Sequence, residues 1–435
     1  MNKKSTVRRE SLVRASLRGV ALASLVCCAG LAQAQEKPAS SLTLYGILDA
    51  GVTYTSGIKG GNVKQVASGI MEGTRWGLKG NEEIGNGYRA IFTLEARVEL
   101  DTGSNSSKPI SGTQLPDRLS KATLMGLPAI LQPAVTNVGN LLGGEFGVNV
   151  GTYGNRIFDR QAYMGLITPV GAVLAGRQYT PAFETTATYD IMATQSALAP
   201  GQLVPLPASL EIRSSNAIAY RIMKDGVSAA VMMSQGNAGE NPGDGSRLVG
   251  WNFSYTASGL SAGMGYNAMK NELGQPSLAT LVMGASGTMS GHTVSGLIAK
   301  VKDDNPAGLS AITPALTPVI GAVLARDVQN AFARALRQDG VLSHVGYRFV
   351  TGPNTISVAY NAFNDKRPNN SDVKSFGAAY TYALSKRTDI NVVAVKYTND
   401  GMSQVAPGGN GYLGGVTTAP GTDSNALAVG LRHRF

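Results

Sequence analysis

Cysteine is nearly missing from this 435-residue chain: its two cysteines, Cys27 and Cys28, sit side by side near the start. Beyond residue 34 there is none, so disulfides and thiolate metal sites are excluded there. Charge is sparse, with Asp, Glu, Lys and Arg making up 15%. The formal charge is +10, but the first 34 residues hold six bases and one acid, leaving 32 bases against 27 acids. So mild an excess gives no electrostatic footprint for nucleic acid, and no such partner is expected. Histidine occurs only as His292, His344 and His433, without metal-ligand spacing. No glycine-rich phosphate loop precedes a helix, and the outward-facing His433 reads as interfacial packing rather than half of a Ser–His pair. An enzyme is therefore not expected, nor a metal or other cofactor.

Uninterrupted apolar helices are lacking too. The uncharged stretches 122–144, 191–210 and 305–325 are long enough to cross a membrane. Each is broken by proline: Pro128 and Pro133, then Pro200, Pro205 and Pro207, then Pro306, Pro314 and Pro318. A proline inside a helix costs about 3 kcal/mol. These stretches are expected to be loop insertions that fold inward or pack on neighbouring chains.

What is present begins with an export signal. Lys3, Lys4, Arg8, Arg9, Arg14 and Arg18 make a basic start, 19–31 is apolar, and Ala32-Gln33-Ala34 fits a small-x-small cleavage site. The chain is expected to be a cleaved leader, 1–34, followed by one unit, 35–435. A length of roughly 400 residues would usually suggest several soluble domains. Yet no shift in composition marks a boundary, glycine reaches 54 residues, and mean hydropathy is near zero. One closed barrel, with one strand face toward lipid and one toward water, accounts for all three.

Alternation with period two carries that reading. From Tyr88 to Leu100 the even positions are Tyr88, Ala90, Phe92, Leu94, Ala96, Val98 and Leu100. The odd positions include Arg89, Thr93, Glu95, Arg97 and Glu99, which are expected to line the lumen. About ten residues let a tilted strand cross a bilayer, and this segment is long enough. The chain opens and closes in the same way. Leu42, Leu44, Leu48, Ala50 and Val52 oppose Thr43, Tyr45, Asp49 and Thr53; Leu427, Val429, Leu431 and Phe435 oppose Ala428, Gly430, Arg432 and Arg434. A sheet that starts and ends this way can close without an open edge.

Connections alternate in length. Short turns are expected near 81–86, 168–169, 224–226, 257–259, 286–291, 351–353 and 385–386. Long loops are expected over 55–70, 102–155, 180–214, 237–246, 269–277, 303–340, 365–371 and 400–420. Seven turns and eight loops predict an all-β, sixteen-stranded antiparallel transmembrane barrel with short periplasmic turns and long external loops. Within the sixth loop a helix is expected over 318–338. Thr317 is its expected N-cap and Pro318 its first residue; Val319, Val323, Val328, Phe332 and Leu336 form an apolar stripe, and Gly340 is the stop. It should lie outside, covering the barrel mouth or a partner chain.

Several segments together resemble the general porins of β-proteobacteria. They are Ser41-Leu-Thr-Leu-Tyr-Gly-Ile-Leu-Asp-Ala-Gly, Arg75-Trp-Gly-Leu-Lys-Gly-Asn-Glu-Glu-Ile-Gly-Asn-Gly, Arg160-Gln-Ala-Tyr-Met-Gly-Leu, Gly176-Arg-Gln-Tyr-Thr-Pro, Tyr382-Ala-Leu-Ser-Lys-Arg-Thr and Gly430-Leu-Arg-His-Arg-Phe435. The resemblance implies a homotrimer and a third loop folded inward to narrow the pore. It also implies a terminal Phe435 read as an assembly signal by the barrel-assembly machinery. Residues 237–340 depart from it, and the second and sixth loops are enlarged.

The resemblance implies passive diffusion of small hydrophilic solutes and ions through the outer membrane, reached by export through the periplasm. Lipid and lipopolysaccharide would surround the barrel. Family arginines at the pore constriction fall on Arg75, Arg160 and Arg213, and fixed charge in a narrow passage selects ions. The excess of arginine suggests a weak preference for anions. Glu184, Asp190 and Glu211 of the third loop would either form an opposing acidic wall or cap backbone amides. Two other readings stand beside this one. A substrate-specific porin would add an aromatic slide, for which the third loop offers Tyr179, Phe183 and Tyr189; a structural or adhesive barrel would have a blocked lumen.

Overall fold

The computed structural model describes residues 40–107, 115–145, 150–151, 157–193, 196–203, 212–235, 245–408 and 414–435. The expected leader and Glu211 lie outside them. The barrel is made of sixteen antiparallel strands that follow one another in chain order. They are β1 (Ser41–Ile58), β2 in two pieces (Gly61–Ser68 and Arg75–Gly85), β3 (Tyr88–Arg97), β4 (Gln161–Thr168), β5 (Gly171–Tyr179) and β6 (Arg213–Lys224). β7 (Val227–Gln235), β8 (Arg247–Ala257), β9 (Leu260–Lys270), β10 (Pro276–Met289) and β11 (His292–Asp303) follow. β12 (Gln338–Thr351), β13 (Asn354–Asp365), β14 (Val373–Ala383), β15 (Thr388–Asn399) and β16 (Ser424–Arg434) complete the set. Each pairs with the next, and β16 returns to β1 in a register from Ile47↔Arg434 to Ser56↔Asn425. Gly46 and Phe435 exchange both backbone hydrogen bonds at 3.1 Å, which seals the closing seam at its end.

The turns show how local chemistry sets this register. Asn86–Gly87, Asp225–Gly226, Ser258–Gly259 and Ser290–Gly291 have positive φ at both residues. That conformation matches the twist of flanking strands in two-residue hairpins. The first external connection departs from expectation. Residues 55–70 are not a loop: β1 runs to Ile58 and β2 starts at Gly61. The break comes later, at 69–74, between the two pieces of β2.

Burial is inverted relative to a soluble protein. Leu42 is 68% exposed and Phe376 60%, whereas Asp49 and Asn361 are 0% exposed. The exposed leucines, valines and aromatics alternate along the strands with buried Ser, Thr, Asn, Arg and Glu. A soluble sandwich has the opposite pattern, while a barrel solvated by lipid requires this one.

Among the described residues, four α-helices of nine residues or more lie in the connections: α1 (Gln132–Glu145), α2 (Pro181–Tyr189), α3 (Ile312–Ile320) and α4 (Ala322–Leu336). The helix expected over 318–338 is thus two helices. Pro318 lies inside α3 near its end, and Gly321, at φ +79°, makes the bend and stands before α4. Thr317 is not a cap; its carbonyl accepts the Gly321 amide. Val328, Phe332 and Leu336 are buried, but Val319 and Val323 face outward: Val319 lies before the bend, and Val323, five residues before Val328, sits about 140° round α4 from it. Gly340 belongs to β12.

Loops two and six share one apolar core. Leu119, Met125, Leu131, Val135 and Val138 pack with Ile312, Leu316, Val328, Phe332 and Leu336. Loop two leaves the barrel between β3 and β4, and loop six between β11 and β12, eight strands away in a ring of sixteen. Their roots are half a turn apart. A barrel of this size is ~30 Å across, from strand spacing and tilt. Helices α1 and α4, each ~20 Å long, are long enough together to bridge it. Polar bonds fix the side on which they do so. Arg118 donates to the Ala335 carbonyl at 2.7 Å, Asp117 N to Gln404 Oε1 at 2.6 Å, and Arg367 to the Arg337 carbonyl at 2.6 Å. The two loops thus build a roof leaning over the side of loops seven and eight.

The roof can be opened without touching the barrel. Val328→Asp would bury an unpaired carboxylate, which costs several kcal/mol. No residue of the roof core lies on a strand. The expected result is faster entry of large sugars in liposome swelling, with entry of small sugars unchanged. Equal rates for all sugars would contradict a steric role for the roof.

A pH dependence follows from the root of loop six. Glu272 accepts the amides of Gly308 at 2.9 Å and Ser310 at 3.2 Å. Burial pushes its carboxyl up, but these amides outweigh burial and hold it below the usual carboxylate range. A depressed native pKa gives stability that is fully present above the unfolded value, about 4.3, and lost as pH falls through the native value. Hydrogen-exchange protection of the Gly308 and Ser310 amides, corrected for intrinsic rate, should hold down to about pH 5 and fall in more acid solution. Protection unchanged in strong acid would refute this anchor.

Candidate pore constriction

Helix α2 opens the third loop, after Thr180, with Pro181 at its first position and Glu184 in its first turn. Both suit a helix start. It lies inside the barrel on a track of glycines. A β-carbon at Gly265 would meet Thr185 Oγ1 and the Pro181 carbonyl, one at Gly284 the Tyr189 ring, one at Gly346 Ile191, and one at Gly377 Leu198. Asn267 Oδ1 takes the Ala182 amide at 3.2 Å, and Asn252 donates to the Pro181 carbonyl at 3.3 Å. Farther along, Ile191, Met192, Leu198 and Leu203 pack on Val282, Leu297, Leu342, Phe363 and Val393 of the inner wall. Ile191 N donates to His344 Nε2 at 3.1 Å, Asn361 Nδ2 to the Leu198 carbonyl at 2.8 Å, and Tyr397 OH to the Ala197 carbonyl at 2.8 Å. The loop therefore lines the β8–β16 side.

The arginines stand on the other side. Arg75 (β2), Arg160 (before β4) and Arg213 (β6) converge around Glu95 and Tyr179. Arg160 Nε donates to Glu95 Oε1 at 2.7 Å; Arg75 Nε lies 3.6 Å from Glu95 Oε2. The Tyr179 hydroxyl accepts from Arg160 at 3.1 Å and from Arg213 at 3.2 Å, and the Arg213 guanidinium stacks 4.7 Å from the Tyr179 ring centroid. Tyr45 OH donates to Glu95 Oε2 at 3.0 Å. Arg97 extends the cluster, bonded to Glu99 at 3.1 Å and 3.8 Å from Asp159. Among the described residues Arg213 has no carboxylate in ion-pair range, while Arg75 and Arg160 share Glu95.

The two third-loop acids among the described residues, Glu184 and Asp190, are engaged elsewhere. Glu184 pairs with Arg221 at 2.6 Å. Asp190 Oδ1 accepts the Met192 amide at 2.9 Å and lies 3.7 Å from His344 Nε2. The sequence reading missed Tyr45, Tyr179 as a shared acceptor, Glu72, and the glycine track. Alternation does place Tyr45 and Glu95 on the inner face, and that was the available signal for them.

Comparison with known proteins agrees with this architecture. A family model described as Gram-negative porin matches residues 21–402. An outer membrane porin protein of Bordetella pertussis is 35% identical over 101 residues, which is 20% of this chain and 25% of that protein. Outer membrane porin protein 32 of Delftia acidovorans is 24% identical over 431 residues, 96% of this chain and 99% of the relative. Among solved structures, an anion-selective porin from Comamonas acidovorans superposes with a TM-score of 0.63 at 21% identity, covering 91% of this chain and all of that one. In-vitro folded OmpT of Vibrio cholerae gives 0.55 at 12% identity, with 93% and 100% covered. Closed on itself, apolar outside, polar within and matched by the family over most of its length, the chain belongs to the Gram-negative porins, channel proteins of the outer membrane.

Proposed function

We propose that this porin passes small hydrophilic solutes and ions by passive diffusion with a weak preference for anions, and that Arg75, Arg160 and Arg213 form its constriction. The observation that carries this is Arg213, a guanidinium without a counter-charge among the described residues, beside Arg160 on Glu95 and Arg75 between Glu95 and Glu72. Fixed charge at a low-dielectric narrowing concentrates the opposite ion. Glu184 offsets the wall little, since Arg221 takes its charge at 2.6 Å. Glu211 would complete the acidic side of the third loop.

In the same reading the leader is removed after Ala34 and the barrel works as a homotrimer among lipid and lipopolysaccharide. Phe435 is the segment read by the barrel-assembly machinery, and its backbone pairs with Gly46 on β1. Reconstitution in a planar bilayer under a KCl gradient tests the channel directly. The reversal potential should lie on the chloride side of zero. A clear cation preference, or no conductance, would overturn it.

One feature favours a substrate-specific porin as the second reading: Tyr179 and Phe183 stack at 5.1 Å, with Arg213 on Tyr179. Benzoate should then block the current more strongly than acetate; equal block removes that reading.

A further inference from the structure

The break in β2 has a local cause. Between its two pieces, residues 69–74 leave the wall and turn into the lumen. Asp49 of β1 makes the turn, its carboxylate accepting the amides of Ile70, Met71 and Glu72 at 3.1, 2.8 and 2.7 Å. Thr74 fixes the return, its hydroxyl donating to the Asp49 carbonyl at 2.8 Å. Ile70 and Met71 join the apolar cluster that holds Leu198 and Leu203 of the third loop. Gly430 leaves the room that Ile70 needs.

Glu72 is thereby carried to a buried position facing β16. Its Oε1 accepts Arg75 Nη2 at 3.2 Å; its Oε2 accepts Arg432 Nη1 at 2.9 Å and Arg434 Nη2 at 2.6 Å. Arg75 also donates to the Gly73 carbonyl at 3.0 Å, so the bracket supplies both hydrogen bonds of its guanidinium. Asp389 accepts from Arg432 and Arg434 on the far side. The result is one chain of alternating charge along the inner wall: Arg160, Glu95, Arg75, Glu72, the Arg432–Arg434 pair, and Asp389.

We propose that Glu72, set in place by the Asp49 bracket, is a positioning residue of the constriction: it holds Arg75 against the wall, masks the Arg432–Arg434 pair, and so limits how strongly the channel prefers anions. This rests on the reading of the arginine wall as the selectivity site. Arg75 has one further partner, Glu95 at 3.6 Å, which is too long to fix its direction alone. Arg434, at 39% side-chain exposure, already faces water, and loss of a shared counter-charge would expose its field to passing ions.

The test is the reversal potential of the refolded full chain in a KCl gradient for wild type, E72Q, E72D, R75Q and the double variant E72Q/R75Q. E72Q should raise the chloride-to-potassium permeability ratio about threefold, the effect of one unit charge at ~6 Å in water. E72D, which keeps the charge, should restore most of the wild-type value. E72Q and R75Q should be non-additive, because one residue acts through the other. An unchanged ratio in E72Q, or strict additivity, overturns the proposal. Failure of the underlying reading looks different: R75Q and R213A would both leave the wild-type potential unmoved. If E72Q does not give a folded, heat-modifiable barrel, D49N carries the test. It keeps the shape but loses an acceptor of the bracket, and it should shift the potential in the same direction; no shift there overturns the proposal.

Discussion

Arg213→Ala is expected to remove more anion preference than any other single arginine substitution that leaves the barrel intact. The reason is its lack of an acidic partner among the described residues. Replacing Arg160 strands Glu95, whose Oε1 it holds at 2.7 Å, and replacing Arg75 strands Glu72 and Glu95 in part. Breaking a buried pair costs about 3–5 kcal/mol, so those variants change the structure as well as the field. Arg213 touches Tyr179 through one hydrogen bond and a stacked face, and Tyr179 keeps Arg160 when it is gone. A unit charge at ~6 Å in water contributes about 0.7 kcal/mol, or roughly a threefold change in local anion concentration. That is a lower bound, because low-dielectric walls strengthen the field. The reversal potential should therefore move toward zero in R213A and stay near wild type in R213K, which keeps the charge. A wild-type potential in R213A would show that the selecting charge lies elsewhere.

Gly284→Val is expected to unseat the third loop. A β-carbon there would run into the Tyr189 ring at 2.5 Å, and Tyr189 is fully buried against the wall. Overpacking of this kind costs about 1–3 kcal/mol. The strand itself loses nothing, since valine suits a sheet better than glycine does. The strain thus falls on the docking of α2, not on the barrel. In single-channel records one sharp conductance level should broaden into several, with the folded barrel unchanged by circular dichroism. Gly287→Ala is the control, because its β-carbon would meet only a Leu260 methyl at 3.2 Å. A single wild-type level in Gly284→Val would mean that the loop is held by the His344, Asn361 and Tyr397 bonds alone.

The sequence by itself determined the barrel. Alternation depends only on the two-residue period of a strand, so Leu42 to Val52 and Tyr88 to Leu100 could be assigned to faces before any contact was known. Turn chemistry is equally local, and the X–Gly pairs mark where strands reverse. Together these gave sixteen strands and an inward face carrying Glu95 and Arg97, while Arg75 was assigned through the family resemblance. Tertiary structure decided what depends on partners far apart in the chain. Asp49 turns residues 70–72 inward across more than twenty positions, and Glu72 meets Arg432 across 360. Loops two and six share a core because their roots face each other across the mouth, as Arg118 and Ala335 show from 217 positions apart. The glycines under α2 read locally as weak points in strands. Only when the loop is in place do they become its seat, because a glycine's use is the space it leaves, and what fills that space is set by the fold.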